Sequence, residues 1–100
     1  MEIKSVQNEG VVTTTLSGRL DTNAAPEVIK EFEEILVDGV EEFILDMADC
    51  GYVASSGLRA IISAQRKMNA LGGTMIVKNV VQDVMEVFEM TGFSDILTFE

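Results

Sequence analysis

The sequence predicts an α/β domain: a mixed, mostly parallel sheet with helices packed mainly on one side of it. Three observations carry that expectation. Two β-type runs come first with only a short polar connection between them, so an antiparallel pair opens the chain. From Val28 onward, apolar residues at helical spacing alternate with short β-type bursts, the pattern of helices that return the chain to parallel strands. Finally, 100 residues with one proline and eight glycines suffice for one folded domain, residues 1–100, with no linker and no low-complexity tract.

The opening runs "IKSV" and "VVTTTLSG" are separated by "QNEG" and read as a hairpin with Val12, Thr14 and Leu16 on one face. "TNAAPEVIKEFEEILVDG" follows, where Thr22 or Asn23 can cap a helix and Pro26 suits its first turn, because the missing N–H there would have no intrahelical partner. Val28, Ile29, Phe32, Ile35 and Leu36 form the apolar stripe, the opposite face is acidic, and Asp38-Gly39 ends the run. In "VEEFILDMADC" the burst Phe43 to Leu45 reads as a buried central strand that runs into a loop from Asp46 to Gly51. Leu58, Ile61, Ile62, Met68 and Leu71, with Ala60 and Ala64 between them, mark a second helix stopped by Gly72-Gly73. "TMIV" is the next strand, neighbour to Phe43–Leu45. "VVQDVMEVFEMTG" is a third helix with Val81, Val84, Met85 and Phe88 inward, and "FSDILTF" reads as a last strand. The expected order is β-β-α-β-α-β-α-β. The six methionines read as adaptable core filling.

Composition narrows the function. Seven basic against seventeen acidic residues give a net charge of -10, which repels nucleic acid and anionic lipid and favours a partner with a basic surface. With no histidine, Ser-His-Asp triads, Cys-His dyads and the usual catalytic zinc sites are excluded. The order Val53-Ala54-Ser55-Ser56-Gly57 is not a G-x-S-x-G nucleophile elbow, and no Walker or dinucleotide glycine loop is present. Asp21, Asp46 and Asp49 lie in loops where oxygen ligands for magnesium are conceivable, but aspartates in such places ordinarily satisfy turns. No cofactor, no metal and no enzymatic activity are expected. The single Cys50 reads as a buried thiol outside any disulfide or CxxC pair. The start "MEIKSVQNEG" lacks the apolar core of a signal peptide and no run is long enough to span a bilayer, so the cytoplasm is the expected location. Without a heptad seam the free protein is expected to be a monomer.

The serine pair before the second helix admits two readings. Either Ser55 or Ser56 caps the helix, or one hydroxyl faces solvent and receives a phosphoryl group, whose charge the helix end tolerates and a docked partner does not.

The segments "SGRLDTNAAPEV", "FILDMADCGYVASSGLRAII", "GGTMIVKNV" and "VFEMTGFSDIL" together resemble the STAS domain family, in particular the bacterial anti-sigma-factor antagonists of the SpoIIAA type. The resemblance covers nearly the whole chain and implies a STAS-like (SpoIIAA-like) fold. The family's G-x-L-D segment is matched by Gly18, Arg19, Leu20 and Asp21, and its D-S-S-G-L segment by Ala54, Ser55, Ser56, Gly57 and Leu58. The resemblance implies phosphorylation at Ser55 by an anti-sigma factor serine kinase, with Ser56 and Gly57 shaping the helix start. It places Asp21, with Thr22 beside it, on the rim that meets the partner. It further implies that the unphosphorylated form binds the anti-sigma factor and frees the sigma factor, and that a protein phosphatase 2C-type phosphatase resets the switch. One position departs: Ala54 stands where the family carries aspartate. The alternative reading keeps the fold as a scaffold or interaction module in another signalling complex, without a phosphoryl switch.

Overall fold

The computed structural model describes all 100 residues. Strands β1 (Glu2–Asn8) and β2 (Val11–Leu20) form the expected hairpin. Glu9 and Gly10 both have positive φ, the two-residue turn whose twist matches that of paired strands, and Gly10 adopts it without steric cost. Helix α1 (Ala25–Ile35), strand β3 (Glu42–Asp46), strand β4 (Cys50–Val53), helix α2 (Ser55–Ala70), strand β5 (Thr74–Lys78) and helix α3 (Gln82–Thr91) follow. A short 3₁₀ turn, Phe93–Asp95, comes after them. The sheet runs β1-β2-β3-β5, with β1 antiparallel and β2, β3 and β5 mutually parallel. Strand β4 pairs in parallel with Gly18–Leu20, the end of β2 beyond the residues that pair with β3.

The register explains why one face became the core. Val12 lies beside Phe43 and Phe43 beside Met75; two residues on, Thr14, Leu45 and Val77 line up in the same way. All six are buried, whereas Thr13, Ile44 and Ile76 on the opposite face are only half-buried. Helices α1 and α2 pack against each other and bring Val28, Phe32, Leu58, Ile61 and Met68 into a core continuous with that face. Phe32 meets Phe43 edge-on at 5.3 Å between ring centroids. The polar member of the row, Thr14, is satisfied: its hydroxyl lies 2.8 Å from that of Ser5, which in turn donates to Glu31 Oε2 at 2.6 Å.

The structure corrects the expected order in three places. The segment read as a loop from Asp46 to Gly51 turns at Met47–Asp49 and re-enters the sheet as β4, because the free end of β2 offers unpaired backbone groups to Cys50–Val53. The last strand expected in "FSDILTF" is reduced to one bridge between Val77 and Phe99. Residues 93–95 coil into the 3₁₀ turn, and only Thr98 to Glu100 reach β5. That short pairing, the 3.2 Å Lys78–Glu100 ion pair and the Phe88–Phe99 edge contact cover the outer edge of β5. Third, neither Thr22 nor Asn23 caps α1: Ala24 occupies the cap position, and the donors there are met by Asp21. Helix α1 closes at Ile35, four residues before Gly39 turns the chain.

Candidate functional site

Two loops leave the carboxyl ends of the paired strands β2 and β4, so pairing alone brings the Asp21 loop and the Ser55 loop together. Ligands and partners of parallel sheets commonly meet them at this end of the strands. The junction is held by two short contacts. The Ala54 N–H donates to the Leu20 carbonyl at 2.8 Å, and the first turn of α2 lies directly on Leu20. A Cβ on Gly57 would sit 2.6 Å from Leu20 Cγ and 2.9 Å from its carbonyl oxygen, so only glycine allows this approach. Val53 and Leu58, buried on either side, anchor the loop in the core.

The start of α2 is open. Ala54 has the extended backbone of a cap residue, φ -82 and ψ 168, but no side chain able to accept a hydrogen bond. No acceptor from the chain reaches the N–H groups of Ser55, Ser56 or Gly57, so three donors and the positive end of the helix dipole remain available. Both serines lie inside the first turn, which corrects the reading of either one as the cap. Their hydroxyls differ. Ser55 is exposed, whereas Ser56 Oγ is buried with no hydrogen-bond partner.

Opposite lies the start of α1. Asp21 Oδ1 accepts the N–H groups of Asn23 at 3.1 Å and Ala24 at 2.9 Å, and the Asp21 carbonyl accepts that of Ala25 at 3.0 Å. Thr22 and Asn23 are exposed at the rim of this turn. Asp46 is similarly occupied, accepting the Ala48 N–H at 3.0 Å and the Asn79 amide at 3.2 Å. The three loop aspartates do not gather with other ligands into a metal-holding group.

Sequence reasoning missed one pair on this rim. Arg19 and Tyr52 are register partners on β2 and β4, and the guanidinium stands 4.0 Å from the centre of the tyrosine ring, with both side chains exposed. The signal was Tyr52-Val53 ahead of the serines, a β-favouring couple directly after the segment read as loop. Beneath it, burial pushes the Cys50 thiol above its ordinary value, against smaller opposing contributions from the backbone of Tyr52 and Leu20. The thiol is fully buried and protonated at neutral pH, consistent with a core residue.

Fold and site together define a small α/β module that presents a serine-bearing helix start on a surface of loops. Residues 2–100 match the STAS domain family model, and the chain belongs to that family. It is 25% identical over 91 residues to the anti-sigma-B factor antagonist of Bacillus subtilis, covering 91% of this chain and 83% of the relative. It is 28% identical over 98 residues to the anti-sigma F factor antagonist of Paenibacillus polymyxa, covering 97% and 84%. Among solved structures, the anti-sigma factor antagonist SpoIIAA superposes in its unphosphorylated form with a TM-score of 0.78. The identity is 19%, over 99% of this chain and 87% of that one. Its phosphorylated form gives 0.77, again at 19% identity, over 99% and 91%.

Proposed function

We propose that this protein is an anti-sigma-factor antagonist. In its unphosphorylated form it binds an anti-sigma factor serine kinase, which releases the sigma factor, and phosphorylation of Ser55 ends the binding. The observation that carries the reading is the contrast between the serines: at the start of α2 the Ser55 hydroxyl is exposed and that of Ser56 is buried. The relatives named as anti-sigma factor antagonists support the role, and the resemblance of the segment Ala54–Leu58 to the family's D-S-S-G-L pattern implies Ser55 as the phosphorylated serine.

The chemistry asks little of this chain. The kinase transfers the γ-phosphoryl group of ATP to Ser55 Oγ and takes up the hydroxyl proton, and ADP leaves. The phosphate brings about -1.5 to -2 of charge at neutral pH to a helix end with open donors, so the domain itself remains folded. Any partner surface docked over the start of α2, Asp21 and Thr22 meets a dianion it had not accommodated and is expelled; Leu58, expected at this surface, is buried and only supports the loop from beneath. A protein phosphatase 2C-type phosphatase hydrolyses the ester and restores the binding form. The protein acts as a cytoplasmic monomer without cofactor, away from nucleic acid and membrane. In support, no helix is long and apolar enough to cross a membrane.

Incubating wild type, Ser55→Ala and Ser56→Ala with the cognate serine kinase and ATP, followed by phosphosite mass spectrometry, tests the assignment. Phosphate is expected on Ser55 in wild type and Ser56→Ala, and none in Ser55→Ala. Phosphate on Ser56 in the Ser55→Ala protein would refute it. Ser55 makes no hydrogen bond through its side chain, so its removal should change stability by less than about 0.5 kcal/mol. Ala54 favours a second reading, a STAS-type scaffold without a switch, because the carboxylate that the family pattern places beside the serine is missing. A kinase that modifies a control substrate but leaves all three proteins unmodified, while wild type still binds a signalling partner, would select it.

A further inference from the structure

The one cavity of the molecule lies outside the loops just described, between α2 and the 3₁₀ turn after α3. It encloses about 350 Å³ and is lined by Arg59, Ile62, Arg66, Phe93 and Ile96. Ile62 forms its apolar floor and is almost fully buried; Phe93 is half-buried, and Ile96 is 54% exposed, high for an isoleucine beside a core. The arginines stand two helical turns apart on one stripe of α2, about 10 Å along the axis, so they bracket the apolar floor. In a chain with seven basic and seventeen acidic residues, two basic side chains here are left unneutralised. The molecule's one ion pair is Lys78–Glu100, and Asp95, on the 3₁₀ turn itself, pairs with neither arginine.

We propose that this groove is a docking site for a protein segment that presents aliphatic side chains flanked by carboxylates. A helix with leucines in the middle of one face and a glutamate at each end of that face, two turns apart, matches the spacing of Arg59 and Arg66. The volume is at the lower end of ligand clefts and suits one or two aliphatic side chains, with the carrier backbone lying outside. Guanidinium groups engage carboxylates in two parallel hydrogen bonds, which fixes the register of such a segment along α2. The carboxylates of the occupant answer Arg59 and Arg66, and net charge sets aside a second copy of this chain, which at -10 meets long-range repulsion from the rest of the surface that a short segment on a basic or neutral partner does not. The site stands whether or not Ser55 is phosphorylated. Ser55 does occupy the N-terminal end of the same helix stripe, so one partner can span both.

The test uses the full chain, ¹⁵N-labelled, and an alanine-rich helical peptide of about 20 residues carrying the Glu-Leu-Leu-Glu face. A control peptide has both glutamates replaced by glutamine. Amide shifts on titration should map to residues 59–66 and 93–96. The Arg59→Gln/Arg66→Gln variant should bind the Glu peptide ~5-fold more weakly, the loss of two exposed charge pairs of ordinary strength. Gln keeps a similar helix propensity, so the variant folds. Arg59→Glu/Arg66→Glu should instead prefer a peptide with lysines at the two charged positions. Equal binding of the Glu and Gln peptides, shifts centred elsewhere, or no binding at millimolar peptide would each overturn the proposal. So would sedimentation showing a dimer of this chain that the double Gln variant dissolves, since the occupant would then be a second copy.

Discussion

The two helices that leave the carboxyl ends of β2 and β4 begin in opposite ways. At α1 the donors are used internally: Asp21 takes three N–H groups through its carboxylate and carbonyl, Pro26 has no N–H, and the Glu27 N–H reaches the Ala24 carbonyl at 3.0 Å. At α2 the cap residue is alanine and the N–H groups of Ser55, Ser56 and Gly57 find no acceptor in the chain. The first start is self-sufficient and serves as scaffold. The second leaves its donors and its dipole unneutralised beside an exposed hydroxyl, where an added phosphate is electrostatically welcome. The aspartate of the family pattern, placed at position 54, would sit at the cap of α2 and supply the acceptor that alanine lacks.

The comparison can be broken most forcefully at Gly57, the residue that seats the open start on β2. Gly57→Ala forces a methyl against the Leu20 carbonyl and side chain and should destabilise the fold by about 1–3 kcal/mol in urea denaturation. Gly51→Ala, with nothing within 4 Å of the added carbon, should cost far less. Equal effects would mean that α2 does not rest on Leu20 as described. Next in size, Asp21→Ala should cost about 0.5–2 kcal/mol, while Thr22→Ala, at an exposed side chain, should stay within about 0.5 kcal/mol. In the opposite direction, Ala54→Asp should stabilise by about 1 kcal/mol, since the backbone at 54 already has cap geometry. A neutral result would show that the donors of α2 are satisfied by some other group. Smallest of all, Ser56→Ala removes a buried hydroxyl that has no partner, so its midpoint should be unchanged or slightly higher. A loss above about 1 kcal/mol would reveal a hydrogen bond to that hydroxyl.

How far the site could be read from the sequence follows from the range of the interactions. The position of Ser55 at a helix start was legible because the pattern Leu58, Ile61, Ile62 and Met68 sets the helix phase locally, and the family pattern aligned the serine pair. Which of Ser55 and Ser56 is exposed was not, since both lie in one turn and only the packing of α2 on the rest of the fold buries one hydroxyl. The rim pair Arg19–Tyr52 was invisible for a related reason: without β4 the two residues have no common strand pairing. The cavity of Arg59, Ile62, Arg66, Phe93 and Ile96 joins two segments far apart in sequence, and the expected strand at Phe93–Phe99 pointed away from it.

By itself the sequence determined what repeats along the chain or acts within a turn: one α/β domain, its opening hairpin, three amphipathic helices, and the strands Phe43–Leu45 and Met75–Val77 side by side. Hydrophobic periodicity encodes these because each element must bury one face, and a period of two or of about 3.6 is what burial of that face leaves behind. Tertiary structure alone decided the short β4, the collapse of the final strand to one bridge, and the unequal serines. Each of those depends on which unpaired backbone group a neighbouring element presents, as the free end of β2 does to Cys50–Val53 and Leu20 does to Gly57. That is a contact between residues distant in sequence, and it leaves no period to read.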